Sequence, residues 1–136
     1  MDSPESERDE LVAAVRAALE ARPEIRFAYL HGSFQTGGPY RDIDVAVWLD
    51  PARVADQSRG SYALDLGVSL ERDLGRPVDV RALNQAPLAF RYHALKGTLL
   101  LVRDREFLDE LRARTWDDYF DFLPFARKYL REALSE

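Results

Sequence analysis

Two apolar runs, "IRFAYLH" at residues 25–31 and "IDVAVWL" at residues 43–49, set the strongest limit on how this chain can fold. The loop between them is only about ten residues long, too short for the crossover that a parallel pair requires, so the two runs are expected to form adjacent antiparallel strands. The second run is almost continuously apolar and rich in β-formers, which suits a central strand covered on both faces, and Asp50-Pro51 closes it. In the first, Ile25, Phe27 and Tyr29 alternate with Ala28 and Leu30, giving one buried face and a second, partly buried one; Gly32 ends the run.

The flanking segments supply helices. Leu11, Val12, Val15, Ala18 and Leu19 lie on one helical stripe, predicting an amphipathic helix over residues 6–21 that stops before Pro23. Residues 52–75 read as a long helix, with loop as the alternative for the first half, and with Val54, Leu64, Leu66, Val68, Leu70 and Leu74 inward, weakened by Gly60 and Gly67. "RPVDVRAL" alternates as a third strand, with Val78 and Val80 on one face and Asp79 and Arg81 on the other. "APLAFRYHALKG" is a short helix with Pro87 in its first turn and Gly97 past its end, "TLLLV" a short strand, and the remainder helical with a kink or break near Pro124. The alternation of elements predicts an α/β (α+β) fold, a small mixed sheet covered by helices. One domain spans residues 1–136, with a core at about 10–102 and a C-terminal helix at about 104–134.

Composition removes several classes of function. A net charge of −5 argues against a broad nucleic-acid footprint. The absence of cysteine excludes disulfides, zinc-thiolate sites and thiol catalysis, and suits a reducing compartment. No apolar run approaches the ~20 residues that cross a membrane, so a cytoplasmic location is expected.

The chemistry concentrates in "HGSFQTGGPYRDIDVAV". Alternation along a strand points Asp42 and Asp44 to one face, and Asp79 sits on a strand that can lie beside them. Three such carboxylates repel one another unless protonated or neutralised. Two Mg²⁺ ions about 4 Å apart relieve that repulsion, because hard cations combine carboxylate ligands with substrate phosphates and serve both the attacking and the leaving oxygen. Gly32-Ser33 has a matching use: a helical turn starting at Ser33 turns backbone N–H groups and a hydroxyl outward, and Gly32 lets a triphosphate approach the backbone. Either motif alone is commonly structural. Together, flanking one hairpin with a third Asp on a later strand, they read as halves of one metal-nucleotide clamp.

With these residues in place the chain resembles the DNA polymerase beta nucleotidyltransferase superfamily, and within it the minimal nucleotidyltransferases. The pattern is Gly32-Ser33, then Asp42-Ile43-Asp44 on the next strand, then Asp79 in "PVDVRAL". The similarity covers roughly residues 10–102, and the tail "WDDYFDFLPFARKYLREAL" is similar to the C-terminal helix of the bacterial antitoxin branch. That branch is paired with HEPN ribonuclease toxins and moves AMP from ATP to a toxin tyrosine. The resemblance implies Asp42 and Asp44 as ligands for both Mg²⁺ ions, Asp79 as ligand for the catalytic one and base for the acceptor hydroxyl, and Gly32 and Ser33 as holders of the ATP triphosphate. It further implies a HEPN toxin partner in a hetero-oligomer. Eight residues, Phe34 to Arg41, separate Ser33 from Asp42, a shorter loop than the family pattern. Thr36 stands where a basic residue is frequent, and Arg41 where a Ser is; Arg41 supplies a positive charge for phosphate instead.

The competing function is of another class, a binding module that neutralises its partner by contact with the site degenerate. A small-molecule nucleotidyltransferase of the aminoglycoside-modifying kind fits less well, since 136 residues leave little room for a substrate domain. Elsewhere, His31 and His93 read as structural, Arg76 and Arg81 as solvated or as a phosphate rim with Arg41. Trp116, Tyr119, Phe120, Phe122 and Phe125 form a helical stripe that packs on the sheet or, where exposed, docks a partner.

Overall fold

The computed structural model describes residues 4–36 and 42–135. In chain order the elements are α1 (Pro4–Glu20), β1 (Ile25–His31), α2 (Gly32–Thr36), β2 (Ile43–Leu49), α3 (Arg59–Leu74), β3 (Val78–Ala82), α4 (Leu88–Ala94), β4 (Thr98–Val102) and α5 (Arg105–Leu134), with a 3-10 turn at Asp56–Ser58. The sheet order is β3-β2-β1-β4. β1 pairs antiparallel with both β2 and β4, as the short first connection demands, and β2 pairs in parallel with β3 across the α3 crossover.

Helices cover both faces. On one, Val15 and Leu19 of α1 and Ala63, Leu66 and Leu70 of α3 pack on Ile43, Val45, Val47, Val78 and Val80. On the other, Ala94 and Leu95 at the end of α4 and Leu108 and Leu111 of α5 pack on Phe27, Tyr29 and Ala46. β1 therefore has no half-wet face: Ile25, Phe27, Ala28, Tyr29 and Leu30 are all buried. Ile25 also departs from the face expected of it. A bulge between Ile25 and Phe27 shifts the register, so Ile25 joins Ala28 and Leu30 on the α1/α3 side.

Two helices differ from the sequence reading. Leu64 and Val68 of α3 are 68% and 56% exposed, because the face toward the sheet is Ala63, Leu66, Gly67 and Leu70, one position out of step with the larger apolar residues. Gly67 is the point of close approach, since a Cβ there would stand 3.2 Å from the Val78 carbonyl oxygen. α5 runs unbroken through Pro124, whose missing N–H falls on an exposed stretch where water can satisfy the freed carbonyl. Its N-terminus is fixed by Asp104, which accepts from the Phe107 N–H at 3.1 Å. Beyond β3, the buried Asn84 amide accepts from and donates to the Leu49 backbone, each at 2.9 Å, extending the sheet ladder with a side chain.

Candidate active site

The sheet brings the acidic residues together by register. Asp44 on β2 faces His31 of antiparallel β1 on one side and Asp79 of parallel β3 on the other. Cross-strand partners project to one face, so the three side chains form a row at the end of the sheet, on the α4 side. Asp42 precedes β2 by one residue and is exposed.

Gly32 seats the next element against this row. Its φ of +78° is a left-handed conformation that turns the chain directly from β1 into α2, and a Cβ there would lie 2.2 Å from Asp44 Oδ2. The Gly-Ser turn and the Asp44 carboxylate are thus in direct apposition. The Ser33 side chain lies outside the described residues, as does Arg41.

The electrostatics are unbalanced. Burial pushes the Asp44 carboxyl above its ordinary range, and the negative charges of Asp79 and Asp42 push it the same way, with Arg81 opposing. Asp79 accepts from Arg81 Nε at 3.2 Å in a half-exposed ion pair. The Arg81 guanidinium lies 5.4 Å from the centre of the Phe90 ring, and the His31 imidazole meets the same ring edge-on at 5.5 Å. His31 Nε2 is buried without a partner, and burial holds this imidazole below its usual range, with Asp79 opposing and Arg81 assisting. Phe90 had no signal as a site residue; His31, which adjoins the clamp in sequence and reads there as structural ahead of a ribose or phosphate contact, is placed in the row by its cross-strand pairing with Asp44. His93 is exposed on α4 with its ring against Tyr92 and Tyr119, and Arg76 is taken up by Glu7 of α1.

Among the described residues, no three His, Asp or Glu side chains stand close enough to enclose a cation as they are placed. The donor chemistry nonetheless fits Mg²⁺: all three candidates are carboxylates, and the repulsion borne by Asp44 is what a divalent cation relieves. Asp79 would join such a set only by giving up its ion pair with Arg81.

Comparison with known proteins decides the family. The model of the polymerase beta nucleotidyltransferase family matches residues 14–106, a segment that contains the Gly32 turn and all three carboxylates. This chain belongs to that family. No curated protein matches it. Among solved structures, a toxin–antitoxin pair with AMP-PNP aligns at a TM-score of 0.72 and 22% identity, covering 92% of this chain and 98% of the other. A tri-AMPylated Shewanella oneidensis HEPN toxin in complex with MNT antitoxin aligns at 0.70 and 23%, covering 95% and 99%. A further toxin–antitoxin complex, MntA-HepT, aligns at 0.70 and 19%, covering 94% and 99%. At these identities the likeness is one of fold, and it takes in more than nine-tenths of this chain.

Proposed function

We propose that this polymerase beta family member is a Mg²⁺-dependent nucleotidyltransferase that moves AMP from ATP to a tyrosine hydroxyl of a HEPN toxin, acting as its cytoplasmic antitoxin in a hetero-oligomer. The observation that carries the reading is the apposition of the Gly32 turn to Asp44 with Asp79 alongside. In support of the reading, the Gly32 turn abuts the partly buried Asp44 carboxylate, which burial and the charges of Asp79 and Asp42 push above its ordinary range. Solved relatives by fold include one with AMP-PNP and one with an AMPylated toxin, which is the same donor chemistry and the same class of acceptor.

In this reading Asp42 and Asp44 hold the metal with Asp79 completing the set, and Mg²⁺ when bound offsets phosphate charge and stabilises the leaving pyrophosphate. Gly32 and Ser33 hold the triphosphate from the β1 side. Asp79, on the β3 side, accepts the proton of the tyrosine hydroxyl as its oxygen bonds to the α-phosphorus and the bond to pyrophosphate breaks. Arg81 steadies the Asp79 carboxylate through their ion pair and would turn to phosphate if Asp79 took a metal instead. His31, half-buried with its Nε2 enclosed, braces the row through Phe90.

The ion pair between Asp79 and Arg81 favours a second reading, in which the site is idle and the chain neutralises its partner by binding alone. Intact mass of the toxin separates the two after incubation with ATP, Mg²⁺ and either wild type or the Asp42→Asn/Asp44→Asn variant. AMP added by wild type alone supports transfer. An unmodified toxin bound equally by both versions supports contact.

A further inference from the structure

β3 is the outermost strand, with β2 on one side and, among the described residues, no strand on the other. Strand parity decides which of its main-chain groups face outward. The Pro77 carbonyl accepts from the Ile43 N–H at 2.9 Å and the Leu83 N–H donates to the Val47 carbonyl at 2.8 Å, so the odd-numbered residues from Pro77 to Leu83 serve the parallel ladder with β2. Val78, Val80 and Ala82 turn their N–H and C=O groups the other way. There the Val78 N–H donates to Glu71 Oε1 at 3.0 Å. Among the described residues, no main-chain hydrogen bond reaches Val80 or Ala82 from that side.

Two grooves follow this edge. One of about 190 Å³ is walled by Leu64, Gly67 and Val68 of α3 and by Val78, Asp79 and Val80; the other, of about 490 Å³, continues past Val80 and Ala82 to Arg59 and Phe90. Leu64 and Val68 are the large apolar side chains that α3 leaves exposed, and both stand on this rim. With Gly60, where space is open, they form a row four residues apart along the helix. An unpaired strand edge beside an apolar ridge is a surface for pairing with another chain.

The edge is complementary to itself. When two β3 strands pair antiparallel with Val80 on the two-fold axis, Val80 faces Val80 and Ala82 faces Val78, the residues whose main-chain groups point outward. Asp79 then faces Arg81 of the second copy, and Arg81 its Asp79, in the non-hydrogen-bonded positions where side chains approach most closely. The two neighbouring registers that keep the same residues bonded set Asp79 against Asp79 or Arg81 against Arg81, so charge selects the central one. Gly67 stands at Val78 and Val80, which brings the Leu64 and Val68 ridge level with the axis, where it meets its counterpart. We infer that this chain pairs with a second copy of itself through the free edges of β3, joining two four-stranded sheets into one. The second copy thereby contributes a guanidinium to the acidic row, its Arg81 standing opposite Asp79. This pairing is independent of the transferase reading and holds whether or not AMP is moved.

The test is self-association of the purified full chain without toxin, read by sedimentation equilibrium. Wild type is expected to form a dimer in which the Val80 and Ala82 amides exchange with solvent more slowly as concentration rises. Arg81→Glu sets a carboxylate against Asp79 at both symmetric positions and is expected to raise the dissociation constant about tenfold or more. The reversed pair, Asp79→Arg with Arg81→Asp, is expected to bring it back toward the wild-type value. Leu64→Glu, at a side chain the fold leaves exposed, is expected to weaken the dimer as Arg81→Glu does while leaving Tm unchanged. A wild type that stays monomeric overturns the inference. So does a dimer indifferent to both Arg81→Glu and Leu64→Glu, since it forms through another face, and so does a reversed pair as weak as Arg81→Glu. If wild type is monomeric alone and toxin binding is lost in Arg81→Glu and Leu64→Glu, the edge belongs to the toxin and the second copy is excluded.

Discussion

The α-carbon of Gly32 and the carboxylate of Asp44 share a space that no other residue type leaves open: a Cβ on Gly32 would stand 2.2 Å from Asp44 Oδ2. Two separate penalties meet there. The backbone at φ +78° disfavours any side chain by roughly 1–2 kcal/mol, and the carboxylate must move off the row. Gly32→Ala is therefore expected to lower stability by about 1–3 kcal/mol in urea denaturation. Under conditions where the variant is still fully folded, AMP transfer should be lost far beyond that decrement. A variant of wild-type stability and activity would show that the apposition is not tight.

Asp44 is a source of instability that the fold tolerates. Its folded-state pKa is raised above the unfolded value by burial and by Asp79 and Asp42, so the protonated form is favoured in the fold. Stability from this group is fully present below the ordinary pKa of 3.8 and is lost as pH rises through the raised folded value. Asp44→Asn is accordingly expected to raise Tm at pH 7 in metal-free buffer, with the gain shrinking in acid. Mg²⁺ should raise the Tm of wild type and leave that of Asp42→Asn/Asp44→Asn where it was; calorimetry with and without the cation reads both.

Far from the site, Tyr62 on α3 donates to Glu24 Oε1 at 2.5 Å and ties this helix to the segment before β1. The bond holds the Glu24 carboxyl below its usual range, while burial and the same bond push the Tyr62 phenol up to about 12. Two limbs follow. The contribution of Glu24 is present above pH 4.5 and fades as pH falls through its lowered value; that of Tyr62 is present below pH 10 and fades as pH rises through about 12. Tyr62→Phe should cost about 1 kcal/mol at neutral pH and flatten both limbs of the stability profile.

α5 has two halves of opposite character. Leu108 and Leu111 are 1% and 6% exposed, whereas Phe125, Tyr129 and Leu134 are 74%, 73% and 84% exposed. Leu108→Ala is expected to destabilise by about 2–5 kcal/mol, since the cavity it leaves lies against Phe27 and Leu95 in a closed core. Phe125→Ser should change stability by less than about 0.5 kcal/mol. Thermal or urea unfolding of the two variants side by side checks the contrast.

At Gly97 the fold again depends on a missing side chain. A Cβ there would stand 2.1 Å from the Leu30 carbonyl oxygen, on a central strand that cannot retreat. Gly97→Ala should cost about 1–3 kcal/mol, with the loss appearing in the denaturation midpoint and not in the m-value.

The chain of elements, the antiparallel first hairpin and the acidic trio could all be read from residue order, because period-2 and period-3.6 patterns and short connections are local properties. The aromatic stripe was legible as a stripe, but its division was not. Trp116 and Tyr119 pack on Tyr92, with the Tyr92 and Tyr119 rings stacked at 3.8 Å, while Phe120, Phe122 and Phe125 stay exposed. Nothing in the residues themselves marks where α4 stops covering α5. The same holds for α3: Leu64 and Val68 have the hydropathy of core residues and the angular position of surface ones, and the choice fell to Gly67, whose lack of a side chain lets α3 approach β3.

What the sequence determined by itself was chemical: which side chains are carboxylates, where the Gly-Ser turn falls, and which strands they flank or occupy. What the tertiary structure alone decided was who stands next to whom. Register placed Asp44 between His31 and Asp79, a bulge moved Ile25 to the opposite face of β1, and the free edge of β3 left a cavity beside Arg59. The physical reason is that strand register and helix approach are set by packing summed over many residues at once, so a one-residue shift moves a side chain to the other face without changing any local preference.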